Sequence, residues 1–175
     1  PLADDALAVN RLKGGKILDV GCGPGLLAKE FARRSKKFQV IGIDISLYAI
    51  RRAKENCKGL KNVVLKKAAA SRLPFDDKVF DLVICKDSLH HFNNLERVLR
   101  EMYRVVKRDG TVYLQDLRRD LPWRLLKTAI PPKNLFQKLQ YYSARASYTK
   151  RELARILKAL GLRSYAIKTR QVTRK

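Results

Sequence analysis

The sequence predicts an α/β fold in which a doubly wound, mostly parallel sheet has helices on both faces. Short apolar runs of strand character alternate with segments whose apolar residues recur at helical spacing, which is the pattern of such sheets. The first run is followed by a glycine-rich loop, and the second ends in an aspartate. Because ligands of these sheets bind beyond the carboxyl ends of the strands, we expect a functional site there.

The first predicted strand, residues 16–20, contains Asp19 and stops at a loop with a glycine at every second position. These glycines are Gly21, Gly23 and Gly25. Glycine lacks a Cβ atom and accepts a positive φ, so the loop lets the backbone approach a ligand closely. A helix is predicted over residues 26–34, and the second strand, residues 38–43, leads into Asp44. A glycine-rich turn after one strand and an acid after the next are the two contacts that a ribose-bearing cofactor needs.

The middle of the chain predicts a second helix and a third strand. Ser46 can cap a helix, and apolar residues follow it at helical spacing. These residues are Ala49, Ile50, Ala53 and Cys57. Residues 62–66 predict a short strand. Residues 73–77 predict a loop, because Pro74 and a pair of acids break regular structure.

A strand, a helix and another strand follow. Residues 80–85 predict the fourth strand, and residues 94–106 predict a long helix with its apolar residues along one stripe. Asp109 and Gly110 form a turn into the fifth strand, residues 111–115.

The last third of the chain is harder to assign. Residues 117–148 are predicted to be irregular and to form a lid or substrate-side insertion. Thr149 and Glu152 match a capping box, which predicts a helix that stops at Gly161, and residues 162–168 predict a last strand. All 175 residues are expected to form a single domain.

The chain is strongly basic, with 39 Lys and Arg against 16 Asp and Glu and a net charge of +23. The excess is uneven, since residues 117–175 contribute +14 and residues 1–116 contribute +9. Two interpretations stay open: a solvated basic surface, or an anionic partner such as RNA or a membrane surface.

The cysteines favour a reduced compartment. Cys22, Cys57 and Cys85 are few, odd in number and set in apolar contexts, which is typical of a cytoplasmic protein rather than a disulfide scaffold. We recognise no signal peptide and no apolar run of about 20 residues. The cysteines and histidines lack the spacing of metal ligands, so no metal is predicted.

Seven stretches, taken in order, resemble the class I S-adenosylmethionine-dependent methyltransferases, in particular the small members close to the ubiquinone and menaquinone biosynthesis type. The stretches are residues 17–25, 40–46, 73–75, 80–84, 90–92, 100–106 and 148–153. The resemblance covers about residues 10–168. It implies a Rossmann-like fold, S-adenosylmethionine as methyl donor, S-adenosylhomocysteine as product, and a small or lipid-like acceptor. The family's sheet usually ends in a two-stranded hairpin, and only one of these strands is evident here, so the last strand is expected to be lacking.

The resemblance also implies roles at the first two strand ends. The backbone at Gly21, Gly23 and Gly25 would meet the methionine part and the ribose of the cofactor. Asp19 would hold the ammonium end, and Asp44 would accept hydrogen bonds from both ribose hydroxyls. Ile45 would lie against the adenine. Cys22 lies within the glycine loop and is counted with the cofactor-binding residues, where its small side chain is also suited to packing.

Further roles are implied at the next two strand ends. Ala70 and Ser71 would meet the adenine edge through their backbone groups, and Cys85 and Lys86 would lie beside the methionine portion. The family often has an acid at the position of Ala69, and its absence here predicts that adenine is held more weakly or differently.

Methyl transfer asks little of side chains, because the sulfonium is already activated and positioning supplies most of the catalysis. A base helps only where the acceptor loses a proton of high pKa. The candidates are Asp87, His90 and His91, and each is also suited to a plain capping or packing role.

Three other functions compete with this one. The basic charge suggests an RNA-modifying methyltransferase, but the sequence at residues 84–87 lacks the Asn/Asp-Pro-Pro-aromatic signature of amino-directed nucleic-acid enzymes. A nicotinamide dehydrogenase would show G-x-G-x-x-G, whereas this loop reads G-x-G-x-G. A non-catalytic binding module of the same fold is the third alternative.

Overall fold

The computed structural model describes residues 2–9, 11–120, 122, 124, 133–162 and 164–168. The chain forms two compact units, Pro1–Asp116 and Leu117–Lys175. The expectation of a single domain with a lid at residues 117–148 stays a prediction.

The first unit is built on a five-stranded sheet in the order β3-β2-β1-β4-β5, and every neighbouring pair is parallel. Its elements are α1 (Leu2–Val9), β1 (Gly15–Val20), α2 (Leu26–Arg34), β2 (Phe38–Asp44), α3 (Leu47–Asn56), β3 (Val63–Lys67), β4 (Phe80–Lys86), a 3-10 helix (Leu89–His91), α4 (Leu95–Val105) and β5 (Val106–Gln115). This is the predicted doubly wound, Rossmann-like α/β fold.

The strand order explains why helices cover both faces. Crossovers between parallel strands are right-handed. The chain runs from β1 through β2 to β3 toward one edge of the sheet, and from β4 to β5 toward the other. The α2 and α3 helices therefore pack on one face and α4 on the opposite one. The direction changes between β1 and β4, which makes their carboxyl ends the place for a ligand.

The core surrounds the central strand. Ile17, Leu18 and Val20 of β1 are fully buried, as are Leu82 and Ile84 of the neighbouring β4. A strand covered by helices on both faces has no polar side, so its sequence reads as a continuous apolar run. This is why the first, second and fourth strands were predicted to within about one residue of their observed bounds.

The N-terminal helix α1 was not predicted. It has only eight residues, and helices this short are unstable without packing partners. Here Ala3 and Ala6 are fully buried in the core cluster, and Asp4 forms an ion pair with Arg34 of α2. Tertiary packing therefore stabilises a segment whose own propensity is weak.

Strand β5 begins at Val106, earlier than the predicted start at residue 111. The register passes from Phe80–Val106 to Leu82–Thr111, so the intervening turn residues bulge out of the ladder. A Cβ atom on Gly110 would lie 3.0 Å from the carbonyl oxygen of Phe80, so this bulge requires glycine.

The second unit contains α5 (Leu135–Ala146) and α6 (Lys150–Ala159). The irregular structure expected over residues 117–148 is wrong for α5, whose Asn134 side chain accepts a hydrogen bond from the Gln137 amide at 2.9 Å. That N-cap signal was present in the sequence. The other residues of 117–148 lie partly outside those the structure describes.

The predicted capping box at the start of α6 is confirmed. The Thr149 hydroxyl accepts from the Glu152 amide at 3.1 Å, and the Glu152 carboxylate accepts from the Thr149 amide at 2.8 Å. Gly161 follows the helix with φ +74°.

The last predicted strand is wrong, because residues 162 and 164–168 form no strand. Their apolar residues Leu162, Tyr165 and Ile167 do not alternate strictly, so they present no apolar face to a sheet. Among the described residues, every helix is too short or too polar to serve as a transmembrane span.

Candidate functional site

The candidate site is formed by the carboxyl ends of β1, β2 and β4, which are adjacent in the sheet. Asp19 of β1 is in register with Gly42 of β2 and Ile84 of β4, so the loops that leave these strands start side by side. The structure therefore brings the glycine loop, Asp44 and the segment after Cys85 to one edge.

The glycine loop is held against β2 by its backbone. The amides of Gly21 and Cys22 both donate to the carbonyl oxygen of Ile43 at 2.9 Å. Gly21, Gly23 and Gly25 have φ values of +72°, +51° and +73°, the left-handed region that favours glycine.

The three glycines differ in what they face. A Cβ atom on Gly21 would lie 2.8 Å from the Ser88 hydroxyl oxygen, and one on Gly25 would lie 2.8 Å from the Ala53 Cβ atom. These two positions need glycine for packing inside the protein. A Cβ atom on Gly23 would have no protein atom within 4 Å among the described residues. Gly23 is thus the glycine that leaves its backbone open to a ligand.

Asp44 links the glycine loop to the start of α3. Its Oδ2 atom accepts a hydrogen bond from the Gly23 amide at 3.0 Å, and its Oδ1 atom accepts from the Ser46 amide at 2.9 Å. A carboxylate has about four acceptor positions, so both oxygens can still accept a bond from a hydroxyl group. The adjacent Ile45 side chain is 70% exposed and presents an apolar surface beside this carboxylate.

Asp19 is the most perturbed acid of the site. It is 2% exposed, and its Oδ2 atom is buried without a hydrogen-bond partner among the described residues. Burial and the nearby charge of Asp44 raise the pKa of Asp19 from 3.8 to about 7, although Lys86 and a hydrogen bond from the Ala28 backbone oppose the rise. A buried carboxyl group with an unmatched oxygen is suited to a cationic ligand group.

Cys22 and Cys85 contribute packing rather than charge. Both are buried, and burial raises the pKa of each thiol above its ordinary value, with a smaller contribution from the charge of Asp19. The thiols are therefore neutral at physiological pH. Both side chains are therefore buried, uncharged groups beside the strand ends, and the contacts with the cofactor expected for Cys22 and Cys85 stay predictions.

The segment after β3 lies next to Asp44. The Ala68 amide donates to the Asp44 carbonyl oxygen at 3.0 Å, which sets the position of Ala70 and Ser71. The Ser71 carbonyl oxygen already accepts a bond from the Arg97 side chain at 3.0 Å. Ala70 and Ser71 are half-buried, and their contact with adenine stays a prediction.

The segment after β4 contains the three candidate bases. Lys86 and Asp87 form an ion pair, and Asp87 adopts φ +51° while its amide donates to the Gln115 carbonyl oxygen at 2.8 Å. The carboxylate of Asp87 is therefore already matched by a cation, which makes it a weaker candidate base.

His90 is held by Asp116, a residue that the sequence analysis missed. The His90 Nδ1 atom lies 2.9 Å from Asp116 Oδ1, and the two side chains are only 3% and 7% exposed. Asp116 Oδ2 also accepts from the Leu89 amide at 2.8 Å. The signal was available, since Asp116 follows the fifth strand as Asp44 follows the second.

His91 lies beside His90, with ring centroids 4.1 Å apart. Burial and the neighbouring His90 ring lower the pKa of His91, while Asp116 and Asp44 oppose this. Ser88 was also missed; its hydroxyl reaches the carbonyl oxygens of Gly21 and Lys86 at 3.1 and 3.0 Å and joins the glycine loop to the end of β4.

Within the described part of the chain, no group of three or more His, Cys, Asp and Glu side chains is placed to hold a metal ion.

Comparison with known proteins identifies the family. Residues 18–114, more than half of the chain, match the family described as "Methyltransferase domain". The chain is 32% identical over 121 residues to the malonyl-[acyl-carrier protein] O-methyltransferase of Legionella pneumophila, covering 69% of this chain and 42% of that protein. It is 32% identical over 110 residues to the ubiquinone biosynthesis O-methyltransferase of Pelagibacter ubique, covering 63% of this chain and 45% of that one.

The chain thus spans less than half the length of these curated relatives. Among solved structures, the plantazolicin methyltransferase BpumL in complex with S-adenosylhomocysteine has the same fold, with a TM-score of 0.76 and 20% identity over 91% of this chain and 60% of that one. By sequence match and by fold, the chain belongs to the class I S-adenosylmethionine-dependent methyltransferase family.

Proposed function

We propose that this chain binds S-adenosylmethionine and transfers its methyl group to a small or lipid-like acceptor by in-line displacement. The observation that supports this most directly is the bond between Asp44 and Gly23. It places a carboxylate with spare acceptor positions against the one loop glycine whose Cβ side is open. A ribose hydroxyl pair and a close backbone contact fit this arrangement.

The residues present fit the rest of the cofactor. The unmatched Oδ2 atom of Asp19 would accept a bond from the ammonium group, whose positive charge would favour the ionised carboxylate. The exposed Ile45 side chain would cover one face of the adenine ring. Ala69 offers no carboxylate to the adenine amino group, so adenine would be held through backbone groups at Ala70 and Ser71 and through Ile45.

When bound, the cofactor supplies a methyl group on a positively charged sulfur, which is already a strong electrophile. The chain's own residues then position the acceptor and remove its proton where necessary. With Nδ1–H donated to Asp116, the Nε2 atom of His90 is the ring nitrogen that can accept a proton. His90 is thus one of three candidate bases, with Asp87 and His91; its Nε2 atom is buried in this structure, so an acceptor would have to come into contact with it for proton transfer.

The relatives support the class of acceptor. One is named for a malonyl group on acyl-carrier protein and another for ubiquinone biosynthesis. A carboxylate on an acyl chain and a phenolic quinone precursor are both small or lipid-like oxygen acceptors. The RNA, dehydrogenase and non-catalytic alternatives are not favoured by these comparisons. We also propose a cytoplasmic location, since Cys22, Cys57 and Cys85 are buried free thiols.

Calorimetric titration with S-adenosylhomocysteine tests the cofactor site. The Asp44→Ala variant removes a carboxylate that would accept two hydroxyl bonds, and charge-assisted bonds of this kind are worth about 1.5–3 kcal/mol each. We expect its affinity to fall at least about 100-fold. The control is Asp76→Ala, which removes an exposed acid from a loop. Equal affinities of the two variants would refute the ribose role of Asp44.

A mass-detected screen of phenolic quinone precursors and acyl carboxylates, with S-adenosylmethionine present, tests the reaction. With a phenolic acceptor, His90→Gln should lower kcat by about 100-fold or more and leave S-adenosylhomocysteine affinity unchanged. Asp116→Asn should also lower kcat, because the Asp116 carboxylate holds the His90 ring through its Nδ1 atom. An unchanged kcat in His90→Gln with that acceptor would exclude His90 as the base.

A further inference from the structure

A basic cleft lies at the end of the sheet opposite the candidate site. It is formed where β1, β2, β4 and β5 begin and has a volume of about 510 Å³. We call it the lysine cleft, and it is lined by Gly15, Lys16, Lys37, Gln39, Lys78, Val79, Asp81 and Lys107. Four of these residues are lysines and one is acidic, so the cleft has a formal charge of +3.

The acidic residue of the lysine cleft is hydrogen-bonded to two of the residues that line it. Asp81 accepts from the Lys16 backbone amide at 2.7 Å and from the Lys107 ammonium group at 2.7 Å. Burial opposes its ionisation, but these two hydrogen bonds outweigh it and keep the pKa of Asp81 below its usual value. Asp81 is thus a fixed anion that matches Lys107 and leaves the other lysines uncompensated.

The ammonium groups of Lys16, Lys37 and Lys78 have no ion-pair partner among the described residues. The nearby acid Asp77 is already bonded to Arg104. Three exposed cations that line one concavity repel one another, and their positive potentials add there. An anion that enters the cleft would relieve this repulsion.

Two glycines allow these groups to come together. A Cβ atom on Gly14 would lie 2.9 Å from the Lys37 Cβ atom, and one on Gly15 would lie 2.5 Å from Asp81 Oδ2. Gly15 also has φ +118°, which other residues rarely adopt. The backbone at the start of β1 is therefore shaped for close contact with both neighbouring strands.

We propose that the lysine cleft binds the polyphosphate group of a small anion, such as a nucleoside di- or triphosphate. Several phosphates carry enough charge to match three ammonium groups, and lysine binds phosphate as a compact point charge. The volume lies within the usual range of small-ligand sites, about 300–1,000 Å³. A bilayer is flat and a nucleic-acid duplex is convex, so neither presents a group that fills a concavity of this size.

Titration calorimetry with inorganic tripolyphosphate at low ionic strength tests the proposal. We expect one site per chain and a loss of affinity as salt is added, because exposed charges are screened. The variant Lys16→Gln/Lys37→Gln/Lys78→Gln should bind about 30-fold more weakly, at about threefold for each exposed ammonium contact. The control Lys54→Gln/Lys58→Gln/Lys61→Gln removes the same charge from exposed positions elsewhere, and should change affinity less than about threefold.

Titrations with other ligands identify the source of the phosphate. They also distinguish a failure of this proposal from a failure of the proposed methyl-transfer site. ATP that binds as tightly as tripolyphosphate, with the same loss in the cleft variant, would support a nucleotide. S-adenosylhomocysteine affinity should be equal in both triple variants, which shows that they fold. Equal tripolyphosphate binding by the two variants would overturn the proposal. Cleft-dependent binding of single-stranded RNA or phosphatidylglycerol vesicles, without tripolyphosphate binding, would overturn it as well.

Discussion

Replacing Asp19 by Asn should stabilise the folded chain at neutral pH and abolish one pH dependence of its stability. The Asp19 carboxyl group is 2% exposed, and its Oδ2 atom is buried without a hydrogen-bond partner among the described residues. Its pKa is raised from 3.8 to about 7, mainly by burial. A shift of about three units corresponds to about 4 kcal/mol that the folded state loses when this group ionises.

The sign follows from the direction of the shift. The folded state holds a proton on Asp19 that the unfolded state releases above pH 3.8. The contribution of Asp19 to the wild-type free energy of unfolding is therefore largest below pH 3.8. This contribution decreases as the pH rises from 3.8 to about 7, and it no longer changes above pH 7. Asn does not titrate, so the difference in stability between variant and wild type should change by about 4 kcal/mol over this range.

The net gain at pH 8 is smaller than this change, because the buried Asn amide also lacks a partner. An unsatisfied buried amide costs about 1–3 kcal/mol, which leaves a gain of about 2 kcal/mol. Urea unfolding followed by circular dichroism, at several pH values between 4 and 8, measures both quantities. Titrating groups that do not interact with Asp19 are common to the two proteins and cancel in the difference. A difference that stays constant with pH would show that Asp19 has an ordinary pKa, which would contradict its burial in the folded chain.

Cofactor binding gives an independent test of the same group. The ammonium group of S-adenosylhomocysteine favours the ionised carboxylate, so its binding below pH 7 must release a proton from Asp19. Wild-type affinity should therefore rise about tenfold per pH unit below pH 7, a range in which the ligand's amino group stays protonated. The Asn variant should bind weakly at every pH. A wild-type affinity independent of pH would refute the ammonium contact.

Three further predictions concern the loop and the helices. Gly21→Ala places a methyl group 2.8 Å from the Ser88 hydroxyl and should lower the free energy of unfolding by about 2 kcal/mol. Gly23→Ala should cost only about 1 kcal/mol of backbone strain, but it should weaken S-adenosylhomocysteine binding more than Gly21→Ala does. If calorimetry showed that Gly21→Ala weakens binding more, Gly23 would not be the glycine that faces the ligand. Arg104→Ala removes a guanidinium that joins α4 to two carbonyls and a carboxylate of the preceding loop, and should destabilise the chain by about 2 kcal/mol in urea. Thr149→Ala removes the capping box of α6 and should lower the free energy of unfolding by about 1 kcal/mol. Hydrogen exchange of the amides in the first turn of that helix should become faster. Unchanged exchange would show that the cap does not stabilise the helix.

The sheet could be predicted from the sequence because its strands are buried on both faces. Such strands are continuous apolar runs, and the glycine loop and strand-end acids mark where they stop. Two helices could also be predicted, α4 from its apolar stripe and α6 from its capping box. These features involve residues that are close together in the chain, so they can be recognised in a single sequence.

The elements that were missed depend on contacts between distant residues. The α1 helix is stabilised by the burial of Ala3 and Ala6 rather than by its own propensity. The bulge at the start of β5 exists because Gly110 can approach the backbone of β4. The α5 helix is different, since Asn134 offered a cap that the flanking prolines obscured. Only this last error could have been avoided from the sequence.

The candidate site also contains residues that a local sequence signal indicates and residues whose role depends on contacts between distant parts of the chain. Asp19, the glycine loop and Asp44 could be proposed because each lies at the end of a predicted strand, and the structure bonds the glycine loop to Asp44 and to the Ile43 carbonyl oxygen. Ser88 could not have been found, because its role is to bridge the Gly21 carbonyl across the gap between two strands. Asp116 could have been found by the strand-end rule that identified Asp44.

The distribution of acids supports a cationic ligand at the carboxyl ends of the strands. The chain has only 16 acids among 175 residues, yet Asp19, Asp44 and Asp116 each lie at the end of a strand in the sheet. Solubility cannot explain this placement, because Asp19 and Asp116 are buried. Helix capping explains the placement of Asp44 only in part. One of its oxygens accepts from the Ser46 amide at the start of α3, but the other accepts from the Gly23 amide in the glycine loop. A ligand that bears an ammonium group and a sulfonium would find opposite charges there, whereas the lysine cleft, which would repel it, lies at the other end of the same sheet.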